Sequence, residues 1–348
     1  MSSAAWAAAT SGAAIPVKIG HPPYNHLRDQ LRFLQQKPVR CAGLLNPAQF
    51  PPMPALSRQQ LALLCFLTIV WGINWPVMKL GVQGFPPLSF RAVSILLGLP
   101  VMWLTLKALK LPLAVPRADW GRLLVLGFFN AVLWHALIIV AIPMLSSGRA
   151  AILGYTMPIF SALFGAVVYR DGLNARGWLG VLAASVGVVL LLSNELASMS
   201  GRPLGVALML TAAAAWALGT QMLRRTTIPA ATLTLSFWMM VEAGVVLVVS
   251  TVLFERHQWH APSAGAAWAI AFNGLLVIGL AQAVWFYLAR SLPPLASTLS
   301  VMMIPVLGVF SGALWLGEQL HRQDWTAMAL MAVAIASVLW PARAVPEA

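Results

Sequence analysis

Charge is what this chain has least of. Only 9% of its 348 residues are Asp, Glu, Lys or Arg, against roughly 25% in a soluble domain, so most of its surface cannot face water. Acidic residues are the scarcer sign, 9 against 22 Lys and Arg, for a net charge of +13. The basic residues lie scattered between apolar runs instead of clustering on one face, which argues against nucleic acid as a partner. The two cysteines, Cys41 and Cys65, predict no structural disulfide. Paired-Cys or His-x-x-x-His spacing for zinc is absent, as is a Gly-rich loop ending in Lys-Ser or Lys-Thr. No metal or cofactor is therefore expected, and the chain carries no nucleotide-driven engine of its own.

What is present is hydrophobicity: 60% of residues are apolar and the mean hydropathy is +0.81. Apolar runs occupy about 61–80, 88–106, 123–145, 150–169, 177–192, 204–223, 231–254, 267–288, 296–316 and 325–340. Each approaches the ~20 residues with which a helix crosses ~30 Å of hydrocarbon. Membrane strands are excluded, because the runs do not alternate and are about twice a barrel strand's length.

The runs repeat. Leu88-Ser89-Phe90 returns as Leu235-Ser236-Phe237, Gly127 as Gly274, Pro158 as Pro305, Asp171 as Glu318 and Trp178 as Trp325, all at an offset of 147 residues. A doubled array of apolar segments is the mark of a transporter built from two structural repeats. An odd number of segments per repeat turns the second copy upside down. The expected fold is all-α and integral to the membrane, with ten transmembrane helices in two inverted five-helix repeats, at 59–194 and 203–341.

Basic residues set the expected orientation. With the N-terminus in the cytoplasm, and the tail left out, 11 Lys and Arg lie inside and 6 outside. Both termini are then cytoplasmic. Residues 1–58 mix Ala, Pro and basic side chains and contain no run long enough for a signal-peptide core. They read as a disordered tail, or as sequence ahead of a true start at Met53.

Trp71-Gly72-Ile73-Asn74-Trp75, then Lys79-Leu80-Gly81 and Pro86-Pro87-Leu88-Ser89-Phe90-Arg91, resemble the opening of EamA-type members of the drug/metabolite transporter superfamily. Tyr155-Thr156-Met157-Pro158 through Gly165 resembles that family's fourth helix. Met303-Ile304-Pro305-Val306, Gly312 and Leu316-Gly317-Glu318 resemble its ninth helix and the acidic turn after it. The likeness runs from about Leu61 to Trp340. It departs from the pattern at Arg170-Asp171, where a Glu-led turn is usual, and at Gly219, which replaces the Asn74 position in the second repeat. The resemblance implies ten helices around a central cavity and secondary transport of small metabolites such as amino acids, drugs or sugar derivatives, often as export. It places the chain in the bacterial cytoplasmic (inner) membrane, with a small-molecule substrate and the lipid bilayer as partners and a homodimer left open.

Polar residues inside the apolar runs are the site candidates. Glu242, mid-way along the seventh run, costs ~2.5–3.5 kcal/mol to insert as a charge; it reads as a proton-coupling or amine-binding group, or as a protonated acid bonded to a neighbouring helix. His135 maps onto Gln282 at the 147 offset, so the pair is expected to flank the pseudo-two-fold axis, or else to bond between helices. Trp285 lies one turn beyond Gln282. Trp71 and Asn74 read as cavity lining, and Trp71 matches Trp216 at an offset of 145. Lys79, Arg224 and Arg91 read as interface anchors. Pro158 and Pro305 are expected to kink the fourth and ninth helices as hinges, with Tyr155 and Thr156 presenting hydroxyls one turn earlier. A passive channel or lipid scramblase is the alternative. A membrane-embedded enzyme would need convergent acid, base and nucleophile, which these runs do not supply.

Overall fold

The computed structural model describes residues 57–172, 175–197, 203–291 and 294–339. Every regular element among them is helical, and no strand occurs. In chain order the helices are α1 (Arg58–Gln83), α2 (Pro87–Ala108), α3 (Arg117–Met144), α4 (Ser147–Val167), α5 (Ala175–Ala197), α6 (Pro203–Arg225), α7 (Thr232–Phe254), α8 (Ala264–Trp285, continuing helically to Ser291), α9 (Pro294–Leu316) and α10 (Arg322–Leu339). Seven of these, α1 to α4 and α6 to α8, are both long and apolar enough to cross a membrane; α5 and α9 carry shorter apolar stretches, Gly177–Leu190 and Met303–Leu316. In α10, Arg322 and Asp324 occupy the first turn. The tail expected at residues 1–58 falls almost wholly outside the described residues.

The helix ends follow from local chemistry. Ser57 and Gln60 form a reciprocal capping box at the start of α1, at 3.1 and 3.0 Å, which satisfies two backbone donors that the helix leaves unpaired. Ser146 and Ser263 cap α4 and α8 through their hydroxyls. The chain leaves α4 and α9 through the same local geometry, 147 residues apart. Arg170 and Gly317 both adopt positive φ, 58° and 63°. The following N–H groups, of Asp171 and Glu318, fold back on the carbonyls of Gly165 and Gly312 at 2.8 and 3.4 Å.

The packing partners also come in matched sets. α1 lies against α9 and α8, while α6 lies against α4 and α3; α2 packs on α8 as α7 packs on α3; α2 meets α7 and α5 meets α10. Close crossings depend on glycine. A Cβ on Gly98 would come 2.7 Å from the Gly274 carbonyl oxygen, and one on Gly274 would come 2.8 Å from that of Ser94, the small-residue approach by which membrane helices gain van der Waals contact. The large side chains left exposed, such as Val249, Leu253 and Phe254 on α7 or Leu314 and Trp315 on α9, form the apolar outer surface that lipid would cover.

Two departures from regular α-helix shape the interior of the bundle. α3 and α8 each contain a π-helical stretch, Phe128–Val132 and Phe272–Ala281. α4 is interrupted at Tyr155–Thr156, and Pro158 is the second residue of the segment Met157–Val167 that begins again after the break. Pro158 therefore does not kink a continuous helix: its missing N–H falls where a helix start has no bond to lose. Pro305 does lie inside α9, as expected.

Candidate functional site

Three of the side chains singled out from the sequence, Trp71, Asn74 and Trp285, stand where α1 meets α8. Trp71 and Trp285 are tilted against each other with ring centroids 5.8 Å apart. One turn along the same face of α1, Asn74 is buried and its Oδ1 accepts from Asn273 Nδ2 of α8 at 2.8 Å. Asn273 Oδ1 in turn accepts from Arg91 Nη1 of α2 at 3.0 Å, and Arg91 Nη2 donates to the Met78 thioether at 2.6 Å. Arg91 is thus not an interface anchor. Its side chain runs inward and is only 2% exposed. Lys79, half-buried, donates to the carbonyls of Ile142, Pro143 and Leu145 at 3.0, 3.2 and 2.6 Å, where it closes the end of α3 and offsets the partial negative charge there.

A second aromatic pair mirrors the first. Trp216 of α6 lies 6.4 Å from Trp134 of α3, and Asn130, in the π-helical stretch of α3, donates to the Trp216 carbonyl and the Thr220 hydroxyl at 3.2 Å each. Gly219, the position that answers Asn74, packs on the Asn130 backbone. Each half therefore directs an asparagine from a π-helical stretch at the other half's first helix, and only one of those helices answers with a polar side chain.

His135 is buried on α3 beside Trp134, and its Nδ1 has no hydrogen-bond partner. Tyr155 is buried edge-on to Trp75, at 6.4 Å, which attaches the break in α4 to the α1 face. The Thr156 hydroxyl donates to the Leu153 carbonyl at 2.7 Å, so its proton is spent on its own helix end. Gln282 and Trp285 are half-buried on α8. Glu242 stands apart from this group. It faces α3, where its Oε2 occupies the space a Cβ on Gly127 would take, and that oxygen has no hydrogen-bond partner.

Carboxylates at the helix ends hold neighbouring helices together. Glu255, after α7, accepts from the Leu88 and Ser89 amides and the Ser89 hydroxyl at 2.9, 2.7 and 2.7 Å, at the start of α2. Glu318, after α9, accepts from the Ser147 amide and hydroxyl at the start of α4 at 2.7 and 2.6 Å. Arg149 and Asp324 pair at 2.8 Å, buried between α4 and α10. Asp171, the counterpart of Glu318, pairs with Arg225 at an exposed site, and Arg225 also donates to the Gln221 side chain. Among the described residues no group of three or more His, Cys, Asp or Glu could hold a metal.

Sequence reasoning passed over Asn130 and Asn273. Both stand within apolar runs, where an amide costs enough to demand a partner, and that was the available signal. The burial of Arg91 left no such trace, because an arginine close to a helix start reads equally well as an anchor.

Comparison with known proteins identifies the family. The model of the EamA-like transporter family matches residues 60–193 and again 203–340. The chain belongs to the EamA-like transporter family. It is an integral, multi-pass membrane transporter and not an enzyme. Similar proteins include the uncharacterized inner membrane transporter YedA of Escherichia coli K12, 28% identical over 80% of this chain and 92% of that protein. The uncharacterized transporter YoaV of Bacillus subtilis is 25% identical over 74% and 87%. A probable amino-acid metabolite efflux pump of Escherichia coli K12 is 24% identical over 76% and 89%. One solved protein structure matches with a TM-score of 0.60 at 20% identity, covering 83% of this chain and 100% of that one, which supports the fold alone.

Proposed function

We propose that this EamA-like transporter is a secondary carrier that exports a small metabolite by alternating access, through ten crossings arranged as two inverted five-helix repeats. The observation that carries the reading is the crossed pairing of aromatics. The first helix of each half meets the third helix of the other over a tryptophan pair, Trp71 on Trp285 and Trp216 on Trp134. Such a crossed arrangement suits a solute site between the two halves, near the pseudo-two-fold axis. Trp71, Asn74, His135, Tyr155, Thr156, Gln282 and Trp285 are its proposed lining. Glu242 couples transport to protons, and Pro305, with the break in α4 before Pro158, supplies the bending. Arg and Lys bias keeps both termini in the cytoplasm of a bacterial inner membrane. The relative named as an amino-acid metabolite efflux pump supports amino acids and their derivatives as the first solutes to try.

The test is counterflow in proteoliposomes. Vesicles loaded with unlabelled L-amino acids should transiently accumulate labelled solute above equilibrium, the signature of a carrier that exchanges. Uptake that rises only to equilibrium, with no overshoot, would assign a channel instead.

A further inference from the structure

Arg91 is a charge without a counter-charge. Its guanidinium is 2% exposed, and both of its hydrogen-bond acceptors, Asn273 Oδ1 and Met78 Sδ, are neutral. No ion pair to it occurs among the described residues. The carboxylate that approaches the start of α2, Glu255, turns its oxygens to the Leu88 and Ser89 amides and the Ser89 hydroxyl. Arg91 is the fifth residue of α2, just past the first turn and toward the positive end of that helix. Its Nε is buried with no partner. A buried polar group in this condition calls for an explanation, and an ionisable residue inside a membrane segment is a candidate for function by default.

The unpartnered edge has a specific shape. Nε–H and the Nη2 side of a guanidinium form one two-pronged edge, which matches the two oxygens of a carboxylate. In Arg91 the first prong is unpartnered and the second rests on a thioether, a weak acceptor, while Nη1 is held by Asn273 and through it by Asn74. Met78, Asn74 and Trp71 follow one another at helical spacing down one face of α1. The edge therefore lies in line with the Trp71–Trp285 pair. His135, on α3, is buried with its Nδ1 likewise unpartnered.

We infer that Arg91 is the carboxylate-recognition residue of this transporter, and that the solute is a small organic acid or amino acid whose apolar part rests against the tryptophans. The inference rests on the carrier function proposed for the bundle. Asn273 and Asn74 are positioning residues: they hold Nη1 so that the Nε–Nη2 edge faces Met78, and the arriving carboxylate displaces the Met78 sulfur and supplies the missing counter-charge.

The test uses the purified full chain in lipid nanodiscs, with binding measured by thermal stabilisation for two matched pairs of probes: L-phenylalanine with phenethylamine, and L-leucine with isoamylamine. Each pair differs by the carboxylate alone. The acids are expected to bind at least about tenfold more tightly than the amines, the scale of a charge-assisted bidentate contact. Arg91→Lys keeps the charge and loses the fork, and should weaken acid binding about tenfold. Asn273→Asp places a carboxylate beside Nη1, so this variant should keep or raise its melting temperature while losing the preference for acids. A purely structural Arg91 predicts the same gain in melting temperature with acid binding unchanged, and that result overturns the inference. So does equal binding of acid and amine, or binding of neither. Counterflow of either amine would then leave the carrier reading standing while the carboxylate site falls.

Discussion

Single side chains carry the chemistry here, and Glu242 shows how much one can be read in isolation. A carboxylate placed mid-way along an apolar run is visible in the sequence, because its insertion cost makes it conspicuous. The helix it would face was not visible, since that depends on how α7 packs against α3. The structure supplies this: Glu242 fits against Gly127, with one oxygen unpaired. Glu242→Gln preserves size and loses the titratable proton. If Glu242 couples transport, the variant should reach the membrane in normal amounts and retain counterflow, yet fail to accumulate solute when a pH gradient is imposed. Gradient-driven accumulation at the parent rate would remove Glu242 from the mechanism. Arg91 is the opposite case. Its position near a helix start suggested an anchor, and only the tertiary course of its side chain toward Asn273 shows otherwise.

Among elements, the helices were legible and their distortions were not. Apolar length and flanking polar residues place the segments to within a few residues, because hydrocarbon thickness sets a single length scale. The π-helical stretches of α3 and α8 leave no comparable pattern, though they aim Asn130 and Asn273 at the neighbouring first helices. The mid-helix reading of Pro158 failed for a related reason. Proline suits the second position of a helix as well as it disrupts an interior, and the sequence does not tell a kink from a restart. Glycines at crossings offer a sharper test. Gly98→Val would press a branched side chain onto the Gly274 carbonyl and Ile278, and overpacking of this kind costs ~1–3 kcal/mol. A lowered melting temperature and reduced membrane abundance are the expected outcomes. Gly121→Ala, on the same bundle but with nothing within 4 Å of the added carbon, should melt at or slightly above the parent temperature, since alanine favours helix. Equal effects from the two would mean that α2 and α8 do not cross at Gly98.

For the whole molecule the question is the relation between the halves. Matched motifs at 147 residues, matched helix-ending geometry at Arg170 and Gly317, and a family model that matches twice all support the proposed duplication. Inversion is a further claim, carried in the sequence by net charge: Arg170 and Arg176 outweigh Asp171 after α4, whereas Glu318 and Asp324 outweigh Arg322 in the corresponding stretch after α9. Gly172 and Gln319 are equivalent positions in those two stretches and both are exposed. A Cβ at Gly172 meets nothing within 4 Å, so cysteine should be tolerated there. With Cys41 and Cys65 replaced by serine, Gly172→Cys and Gln319→Cys can be probed one at a time in intact cells with a membrane-impermeant thiol reagent. Inverted repeats place the two on opposite faces. The cysteine at 319 should then label in intact cells, and the one at 172 only after the membrane is permeabilised. Labelling of both from the same side would mean that the halves run parallel, and the access mechanism built on their exchange would fall with it.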